Sequence, residues 1–338
     1  MMQKKYLFKL LSFLWISLLL QACVFEDTFY FGGSEEPIVI LVPEDFSTIQ
    51  EAMDFAIPGD LVSVADGIYS PSTNGEVFPI FLQDGVDLFG ESPQGTILDA
   101  EGSDGVLDIF QYDGYIRDLT ITGGEAIFAG GILIEESSPL IENIFIIQNQ
   151  AIEQASALMI LNSNNVEIVN TVIAENFRFS EEGFFPAQVE IENSNVFFNN
   201  NVVSRGDADG LRIDTQSEGE FQNNIFFQNG IDIGVGLIDE SPKSLATIQY
   251  NLFFDNLEAD FFISGDFFSV EEVNDLFVND EVEFNFTANP LFVDPENFNY
   301  HLQNGSPAIE AGNPSPEFRN PDGTRNDIGV FGGPRSLE

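Results

Sequence analysis

The stretch ILIEESSPLIENIFIIQN, residues 132–149, is followed by a second copy of the same pattern, LMILNSNNVEIVNTVIAEN, residues 158–176. Each copy holds an apolar run, a serine, a second apolar run that reaches an asparagine, and a third apolar run that ends in another asparagine. A sequence that resembles itself at a period of about 20–50 residues is typical of a solenoid, in which each repeat packs only on its neighbours.

Three columns of residues define the repeat when its copies are aligned. The serine column is Ser137, Ser163, Ser194, Ser217 and Ser241, with steps of 26, 31, 23 and 24 residues. The first asparagine column is Asn143, Asn170, Asn200 and Asn223. The second is Asn149, Asn176, Asn229 and Asn256, with Gly206 in the place of one asparagine.

The composition of each copy predicts an all-β, single-domain parallel β-helix. The copies lack the fixed leucine spacing of leucine-rich repeats and the long 3.6-residue periods of helical repeats. Short runs rich in Ile, Val and Phe, broken by Gly, Asn and Ser, are typical of strands. Asparagine tolerates the left-handed backbone of a tight corner, and stacked amides bond along a ladder. The chain has 35 Phe, which suits a core of stacked aromatic rings.

Strand alternation predicts which residues of the repeat face the core. We expect an inward column three residues before each serine, except that Ile213 stands four before; the column is Ile134, Ile160, Ile191, Ile213 and Ile238. The following position then points outward and holds Glu135, Leu161, Glu192, Asp214 and Asp239. A second outward column contains Glu190 and Arg212.

The charge balance excludes several partners. The chain has 11 Lys and Arg against 56 Asp and Glu, a formal net charge of −45. Nucleic acid and anionic membrane surfaces repel such a protein, so nucleic acid is not an expected partner. Cations are the natural counter-partners, although solubility or adaptation to a salty medium is the simpler explanation of the charge.

The N-terminus has the pattern of a bacterial lipoprotein signal. Two lysines precede an apolar run, and Leu20-Gln21-Ala22-Cys23 resembles a lipobox. We therefore expect residues 1–22 to be a signal peptide, Cys23 to be lipidated, and residues 23–36 to be a tether. An uncleaved membrane anchor is the alternative. Val24 after the cysteine favours attachment to the outer membrane through the lipid alone.

The next segment predicts a short helix that covers the end of the solenoid. Thr48 and Glu51 have capping-box spacing at the start of an amphipathic helix over 47–56. The open end of a solenoid exposes its core, and one amphipathic helix can cover it.

Motifs at both ends resemble right-handed parallel β-helix proteins of the pectin-lyase-like superfamily. They cover nearly all of the chain after the tether: Val42-Pro43, Ser47–Ala52, Gly59-Asp60, Gly67–Tyr69, Gly85–Gly90, Thr96–Asp99, Asn289–Pro295, Gly305–Ile309 and Asn326–Gly333. The resemblance implies a β-helix with an N-terminal capping helix over 37–288 and a C-terminal cap segment over 289–338. It also implies export, and it leaves the substrate open.

The outward columns give one candidate site. Glu190, Glu192, Arg212 and Asp214 are expected on adjacent coils, where strands lie about 4.8 Å apart. Three carboxylates at that spacing could hold Ca²⁺, and Arg212 could be the base of a lyase or the binder of a sugar carboxylate. The alternative is a solvated sheet face with one ion pair. Enzymes of the resembling group carry clustered aspartates with Gly-His-Gly, or basic residues beside calcium, and neither pattern matches.

Other candidates are more local. Asp207 and Asp209 resemble part of a calcium loop, and Asn320, Asp322 and Asp327 form a second oxygen-rich segment for which a cap turn is the simpler explanation. His301 lies among the C-terminal motifs and is expected to be structural. Lys243 is the one lysine after Cys23.

Two functional hypotheses follow, with a third behind them. The first is an exported, non-catalytic envelope lipoprotein that binds glycan or a surface partner along the face of the helix. The second is a lyase or hydrolase of acidic polysaccharide with its site near Arg212. The third is a structural spacer or adhesin. The missing acid/base set favours the first.

Overall fold

The structure is a computed structural model, and it describes residues 36–178, 187–214, 216–230, 234–239, 245–263, 265–276 and 282–336. The predicted signal peptide (1–22), Cys23 and the tether up to residue 35 lie outside these residues, as do Ser241 and Lys243. Among the described residues, no helix combines the length and the apolar character needed to cross a bilayer.

The chain is an all-β, right-handed parallel β-helix of about eight turns, as the repeat predicts. Each full coil contributes one strand to each of three long sheets. Sheet A contains β1 (Val39–Val42), β2 (Leu61–Val64), β5 (Asp87–Gly90), β8 (Tyr115–Arg117), β12 (Leu140–Glu142), β16 (Val166–Val169), β20 (Asn195–Asn199), β23 (Glu218–Gln222), β26 (Leu245–Gln249) and β30 (Val282–Glu283).

The second and third sheets follow sheet A within each coil. Sheet B contains β3 (Gly67–Tyr69), β6 (Thr96–Asp99), β9 (Thr120–Thr122), β13 (Phe145–Ile147), β17 (Val172–Ala174), β21 (Val202–Ser204), β24 (Ile225–Phe227), β27 (Leu252–Phe254) and β31 (Phe286–Thr287). Sheet C contains β4 (Ile80–Phe81), β7 (Leu107–Phe110), β11 (Ile132–Glu135), β15 (Leu158–Leu161), β19 (Val189–Glu192), β22 (Leu211–Ile213), β25 (Val235–Asp239), β28 (Ala259–Ile263) and the antiparallel β29 (Asp266–Phe268).

Smaller elements complete the chain. Sheet D joins three two-residue strands between sheets B and C: β10 (Glu125–Ala126), β14 (Gln150–Ala151) and β18 (Phe177–Arg178). Helix α1 is Ile49–Phe55 and helix α2 is Val270–Leu276. The C-terminal segment has the hairpin β32 (Phe292–Asp294) and β33 (Asn299–Leu302), and two 3₁₀ turns, Pro295–Asn297 and Pro316–Phe318.

The inward isoleucine column forms part of the core, with one correction. Ile134, Ile160, Ile191 and Ile213 are register partners in sheet C and are fully buried. In the next coil the partner of Ile213 is Asp239, whereas Ile238 pairs with Arg212, so the prediction was off by one residue there. The serine alignment failed because the spacing between the inward position and the serine differs between coils: it is four residues from Ile213 to Ser217 and two from Asp239 to Ser241.

The serine column is a hydrogen-bonded ladder inside the coils. The backbone N–H of Ser137 donates to Ser163 Oγ at 3.1 Å, that of Ser163 to Ser194 Oγ at 3.0 Å, and that of Ser194 to Ser217 Oγ at 3.2 Å. Each hydroxyl therefore satisfies a buried donor of the preceding coil, which is a scaffolding role.

The two predicted asparagine columns have different roles. Asn143, Asn170, Asn200 and Asn223 have φ between 48° and 57°, the left-handed backbone expected at a coil corner. The second column is a buried amide ladder, in which Asn149 Nδ2 donates to Asn176 Oδ1 at 3.0 Å.

A third ladder follows the corner asparagines and was missed in the sequence. Asn201 N donates to Asn224 Oδ1 at 2.9 Å. Asn224 Nδ2 then donates to Asn251 Oδ1, and Asn251 Nδ2 donates to Asn285 Oδ1, both at 3.0 Å. The doublets Asn200-Asn201 and Asn223-Asn224 were the signal for it.

Helix α1 forms as the capping box predicts. Thr48 Oγ1 accepts from Glu51 N at 3.2 Å, and Ile49, Ala52 and Met53 are buried in the main core. Glu76, which the sequence did not single out, also accepts from the N–H groups of the first turn, at 2.7 Å from Ile49 and 3.1 Å from Gln50. Burial raises the pKa of the Glu76 carboxyl, although these bonds oppose the shift.

The C-terminal segment lies along a side of the β-helix. Its residues Phe292, Tyr300, Ala308, Ile328 and Val330 pack on the outer face of sheet B, which presents Phe145, Ile147, Val172, Ala174, Val202, Ile225, Phe227 and Leu252. At the C-terminal coils, α2 places Val270 and Val273 in the main core. The last coils are thus covered by a helix that the sequence analysis did not predict.

Candidate functional site

The four predicted site residues lie together on the outer face of sheet C. Strand β19 provides Glu190 and Glu192, β22 places Arg212 directly opposite Glu190, and Asp214 follows the end of β22. A depression of about 290 Å³ is lined by all four, together with Glu153 and Gln154 from the loop after sheet D. The period-two alternation of the strands was therefore sufficient to find this surface.

Arg212 is held by two carboxylates. Its Nη1 lies 2.9 Å from Glu190 Oε1 and its Nη2 lies 3.0 Å from Asp209 Oδ2. The side chains of Glu190 and Asp209 are 7% and 6% exposed, whereas that of Arg212 is 23% exposed. The guanidinium thus lies at the edge of the depression, and the more buried carboxylates of Glu190 and Asp209 balance its charge.

Asp209 was predicted as a metal ligand and is found in this ion pair. Its Oδ2 accepts from Arg212, and its Oδ1 accepts from the backbone N–H of Val235 at 3.0 Å. Burial raises the pKa of the Asp209 carboxyl, and the Arg212 guanidinium opposes that shift. Asp207 points to another partner, Arg178, whose Nε lies 3.3 Å from Asp207 Oδ2. The two aspartates therefore do not converge on one point.

Glu192 and Asp214 have local partners. Asp214 Oδ1 accepts from the backbone N–H of Asn193 at 3.2 Å and from Ser217 Oγ at 2.6 Å, so it orders the turn after β22. Glu192 Oε1 accepts from Gln154 Nε2 at 3.4 Å. That contact links the floor of the depression to the loop that forms its wall.

The C-terminal oxygen-rich segment is ordered by its own hydrogen bonds. Asp322 Oδ1 accepts from Thr324 N at 2.8 Å, Asn320 Oδ1 accepts from Asp327 N at 3.2 Å, and Asp327 Oδ1 accepts from Glu310 N at 2.6 Å. Within the described ranges, no group of three or more His, Cys, Asp or Glu side chains is arranged to hold a metal ion.

His301 contacts other residues of the C-terminal segment. Its ring stacks on Phe331 at a centroid distance of 3.7 Å, and its Nδ1 lies 2.8 Å from Asn299 Oδ1. These contacts are within the C-terminal segment, which fits the structural role predicted for it.

A second depression on sheet C was missed in the sequence. It has a volume of about 240 Å³, and its lining includes Asp104, Asp108, Ile127, Phe128 and Leu133. Extending the outward columns by one coil towards the N-terminus would have found it, because Asp108 and Phe110 are register partners of Leu133 and Glu135.

The outer face of sheet C therefore combines carboxylates with apolar side chains. Phe81 and Phe110 are 54% and 50% exposed, and each occupies an outward position of the sheet. Further along the same columns, Leu133 and Leu161 are half-buried beside Met159. An open surface with aromatic rings and hydrogen-bonding carboxylates can bind a ligand that has both apolar faces and polar groups.

Comparison with known proteins agrees with this architecture. A family model described as "Right handed beta helix region" matches residues 109–274. No curated protein sequence matches the chain significantly.

Solved structures with a similar fold include polysaccharide lyases. Pectate lyase Pel9A is 14% identical, with a TM-score of 0.54, and the similarity covers 88% of this chain and 97% of that one. The PL6 family alginate lyase AlyGC is 16% identical, with a TM-score of 0.47, covering 64% of this chain and only 31% of that one. An alginate lyase from Paenibacillus sp. str. FPU-7 is 14% identical, with a TM-score of 0.37, covering 68% and 92%.

The strand topology and the family match show a right-handed parallel β-helix. The predicted fold is thereby confirmed. At this level of identity the similarity concerns the fold, and the activity has to be argued from the site.

Proposed function

We propose that this protein is an exported cell-envelope lipoprotein that binds a polysaccharide on the outer face of sheet C without cleaving it. The single observation that favours binding over cleavage is the pairing of Arg212 with two carboxylates. Its guanidinium donates to Glu190 at 2.9 Å and to Asp209 at 3.0 Å. Arginine stays protonated in proteins, and two carboxylates reinforce the charged form, so it is poorly suited to abstract a proton.

The composition of the site supports a carbohydrate ligand. Glu153, Glu192 and Gln154 offer acceptors and a donor to hydroxyl groups at the depression. Phe110, half-exposed in the same outward column as Glu192, offers an apolar ring to the face of a sugar. Polar groups that fix orientation beside apolar surface are the usual composition of a ligand site.

A lyase or hydrolase of acidic polysaccharide is the second candidate. One observation favours it: Glu190, Glu192, Arg212 and Asp214, predicted as a group, line a single depression on a sheet face. Against it stands the excess of carboxylates at that depression, because they repel a substrate that carries a carboxylate on each sugar.

Binding and cleavage can be measured on the same sample. We expect the purified protein without residues 1–22 to retain at least one class of polysaccharide on a glycan array. We expect no release of unsaturated uronate from pectate or alginate, with or without Ca²⁺. Glu192→Gln combined with Phe110→Ala should weaken retention about tenfold or more, corresponding to about 1.4 kcal/mol. Glu44→Gln, an exposed acid on another part of the surface, is the matched control.

Each alternative has its own signature in that experiment. Uronate release that Arg212→Ala abolishes would establish the lyase and overturn our proposal. Absence of binding to any glycan, with the protein folded, would leave the spacer or adhesin hypothesis. The export proposal is tested separately: metabolic labelling with palmitate should mark the full-length protein in the outer-membrane fraction, and Cys23→Ala should remove the label.

A further inference from the structure

The outer face of sheet C carries a group of exposed apolar side chains. Phe81 and Phe110 are half-exposed on its first coils, and the loop after β10 adds Ile127 and Phe128, each 51% exposed. Leu161 continues the apolar surface towards the depression at Arg212. Exposed apolar side chains grouped in this way mark an interaction surface more often than scattered ones do.

Carboxylates alternate with these apolar side chains and continue beyond them. Asp108 is the register partner of Phe81, and Glu135 is that of Phe110. Burial raises the pKa of Asp108, and the nearby charges of Glu135 and Asp104 raise it further. Further along the sheet are the carboxylates that line the depression of Arg212. Among the described residues that line these two depressions, Arg212 is the one cation, and its charge is compensated by Glu190 and Asp209. The surface is therefore complementary to a ligand with several positive charges.

The repeat of the sheet indicates a polymeric ligand. Outward residues such as Phe110, Glu135 and Leu161 are direct register partners on successive coils. Strands in a sheet lie about 4.8 Å apart, which is close to the length of one sugar residue in an extended polysaccharide. A glycan chain lying along the axis of the solenoid would therefore meet one new row of side chains at each sugar.

A basic peptide fits this surface less well. Extended peptides gain most of their affinity by adding a strand to a free sheet edge. The strands β7, β11, β15 and β19 are paired on both sides, so their backbone groups are already used. The side chains of the face remain available to a ligand that binds through sugar rings, hydroxyls and ammonium groups.

We propose that the polysaccharide bound by this face is a cationic amino-sugar polymer, with its sugar rings on Phe81 and Phe110 and its ammonium groups on the flanking carboxylates. This inference rests on the proposed function and specifies its ligand. The uronate polymers named for the lyases of similar fold have the opposite charge.

The test compares three oligosaccharides of equal length by isothermal titration calorimetry on the full mature protein at mildly acidic pH. They are a glucosamine oligomer, its N-acetylated and therefore neutral counterpart, and an oligogalacturonate. We expect the glucosamine oligomer to bind at least about tenfold more tightly than the neutral one. We expect its affinity to fall at about 300 mM salt relative to about 50 mM, and the oligogalacturonate not to bind.

Variants separate the two contributions to binding. Asp108→Asn with Glu135→Gln should reduce affinity for the glucosamine oligomer and leave the neutral oligomer almost unaffected. Phe110→Ala should reduce affinity for both oligomers. The matched controls are Glu44→Gln and Phe284→Ala, an exposed acid after β1 and an exposed ring after β30, both next to strands of sheet A. Circular dichroism checks that each variant is folded.

The outcomes that contradict the inference differ from those that contradict the proposed function. If the neutral oligomer binds as tightly as the cationic one, or the oligogalacturonate binds best, the choice of ligand is wrong and glycan binding stands. If polylysine binds as well and Phe110→Ala has no effect, the face attracts cations without recognising sugars, which overturns the inference. If none of the three oligosaccharides binds, the inference fails, and the proposed function fails with it only if the glycan array also shows no binding.

Discussion

At the scale of single residues, Gln188 repairs a gap in a buried ladder. The second asparagine column has Gly206 where an asparagine is expected, and Gln188, which lies directly before β19, reaches into that place. Its Oε1 accepts from Asn176 Nδ2 at 3.1 Å, and its Nε2 donates to Asn229 Oδ1 at 2.9 Å. A Cβ on Gly206 would lie 2.6 Å from Gln188 Cγ, so the glycine makes room for the glutamine.

We predict that Gln188→Ala destabilises the protein by about 2–4 kcal/mol. The substitution leaves the backbone N–H of Asn176 and the Oδ1 of Asn229 without the partner that Gln188 provides, and each unsatisfied group costs about 1–3 kcal/mol. The free energy of unfolding can be measured by urea titration. Gln148→Ala is the matched control, because Gln148 is exposed and donates only to Glu175 at 3.3 Å.

A double mutant checks that the ladder is the cause. Gly206→Asn alone should destabilise the protein because the new side chain overlaps Gln188. In the Gln188→Ala background the same asparagine can occupy the vacated place and should recover part of the loss. Additive effects of the two substitutions would show that Gln188 acts in some other way.

The positions of the ladders were predictable from sequence, whereas their contacts were not. Asparagine recurs at corners because few residues tolerate a left-handed backbone, and that preference is local. The partnership of Gln188 with Asn229 joins residues 41 positions apart, and no local preference encodes it. The same limit explains why Asp209 was read as a metal ligand and found with Arg212.

At the scale of elements, the C-terminal segment is a lateral cover for sheet B. Corner asparagines hold it: Asn170 Nδ2 donates to the carbonyls of Val330 and Gly332, both at 2.8 Å. Tyr300 is buried against the sheet, with its hydroxyl 2.6 Å from Ser204 Oγ, and burial raises the pKa of Tyr300 to about 12. The outer face of sheet B is apolar, so it needs this cover.

We predict that Val330→Asp lowers the free energy of unfolding by about 3 kcal/mol or more and increases binding of a hydrophobic dye. Val330 is 5% exposed in the cluster under the segment, and a buried, unpaired carboxylate is costly. Val293→Asp is the control from the same segment, because Val293 is 49% exposed. Equal effects of the two substitutions would mean that the segment is not a structural cover.

Helices at the two ends differ in how well sequence predicts them. Thr48 and Glu51 predict α1, because a capping box is formed by residues within one helical turn. Helix α2 has Ser269 and Glu272 at a similar spacing, and Ser269 N donates to Glu272 Oε2 at 2.9 Å. That second pattern was present in the sequence and was overlooked among the phenylalanine-rich strands.

At the scale of the whole molecule, acidity and burial set the dependence of stability on pH. Burial raises the pKa of several carboxyl groups above their ordinary values: Glu76, Asp108, Asp207, Asp209 and Asp260. A raised folded-state pKa means that the folded protein keeps protons that the unfolded chain has released. Stability therefore falls as the pH rises from the ordinary pKa, about 4, through the raised values.

We predict that the melting temperature is higher at about pH 5 than at about pH 8. The net charge of −45 acts in the same direction, because protonation relieves repulsion across the compact state. Below about pH 4 the trend should reverse, since hydrogen bonds lower the pKa values of Glu101, Glu272 and Asp322. Differential scanning calorimetry across this range measures the effect. A melting temperature that rises steadily from pH 5 to pH 8 would contradict it.

The architecture was predictable at this scale, and the ligand was not. The same weak strand-and-corner pattern recurs in every coil, and its recurrence makes it recognisable. The β-helix and the sheet C surface could therefore both be predicted from the spacing of serines and asparagines. The choice between binding and cleavage depends on the ion pairs that Arg212 forms with Glu190 and Asp209. The periodicity of the sequence does not predict which side chains pair.

The direction of the amide ladders has a consequence for the length of the molecule. From Asn224 to Asn251 and from Asn251 to Asn285, the Nδ2 of one coil donates to the Oδ1 of the following coil. A coil in this ladder therefore presents donors to one neighbouring coil and an acceptor to the other. Evolution can lengthen or shorten such a molecule only by whole turns, and a longer version of the sheet C face would accommodate a longer ligand.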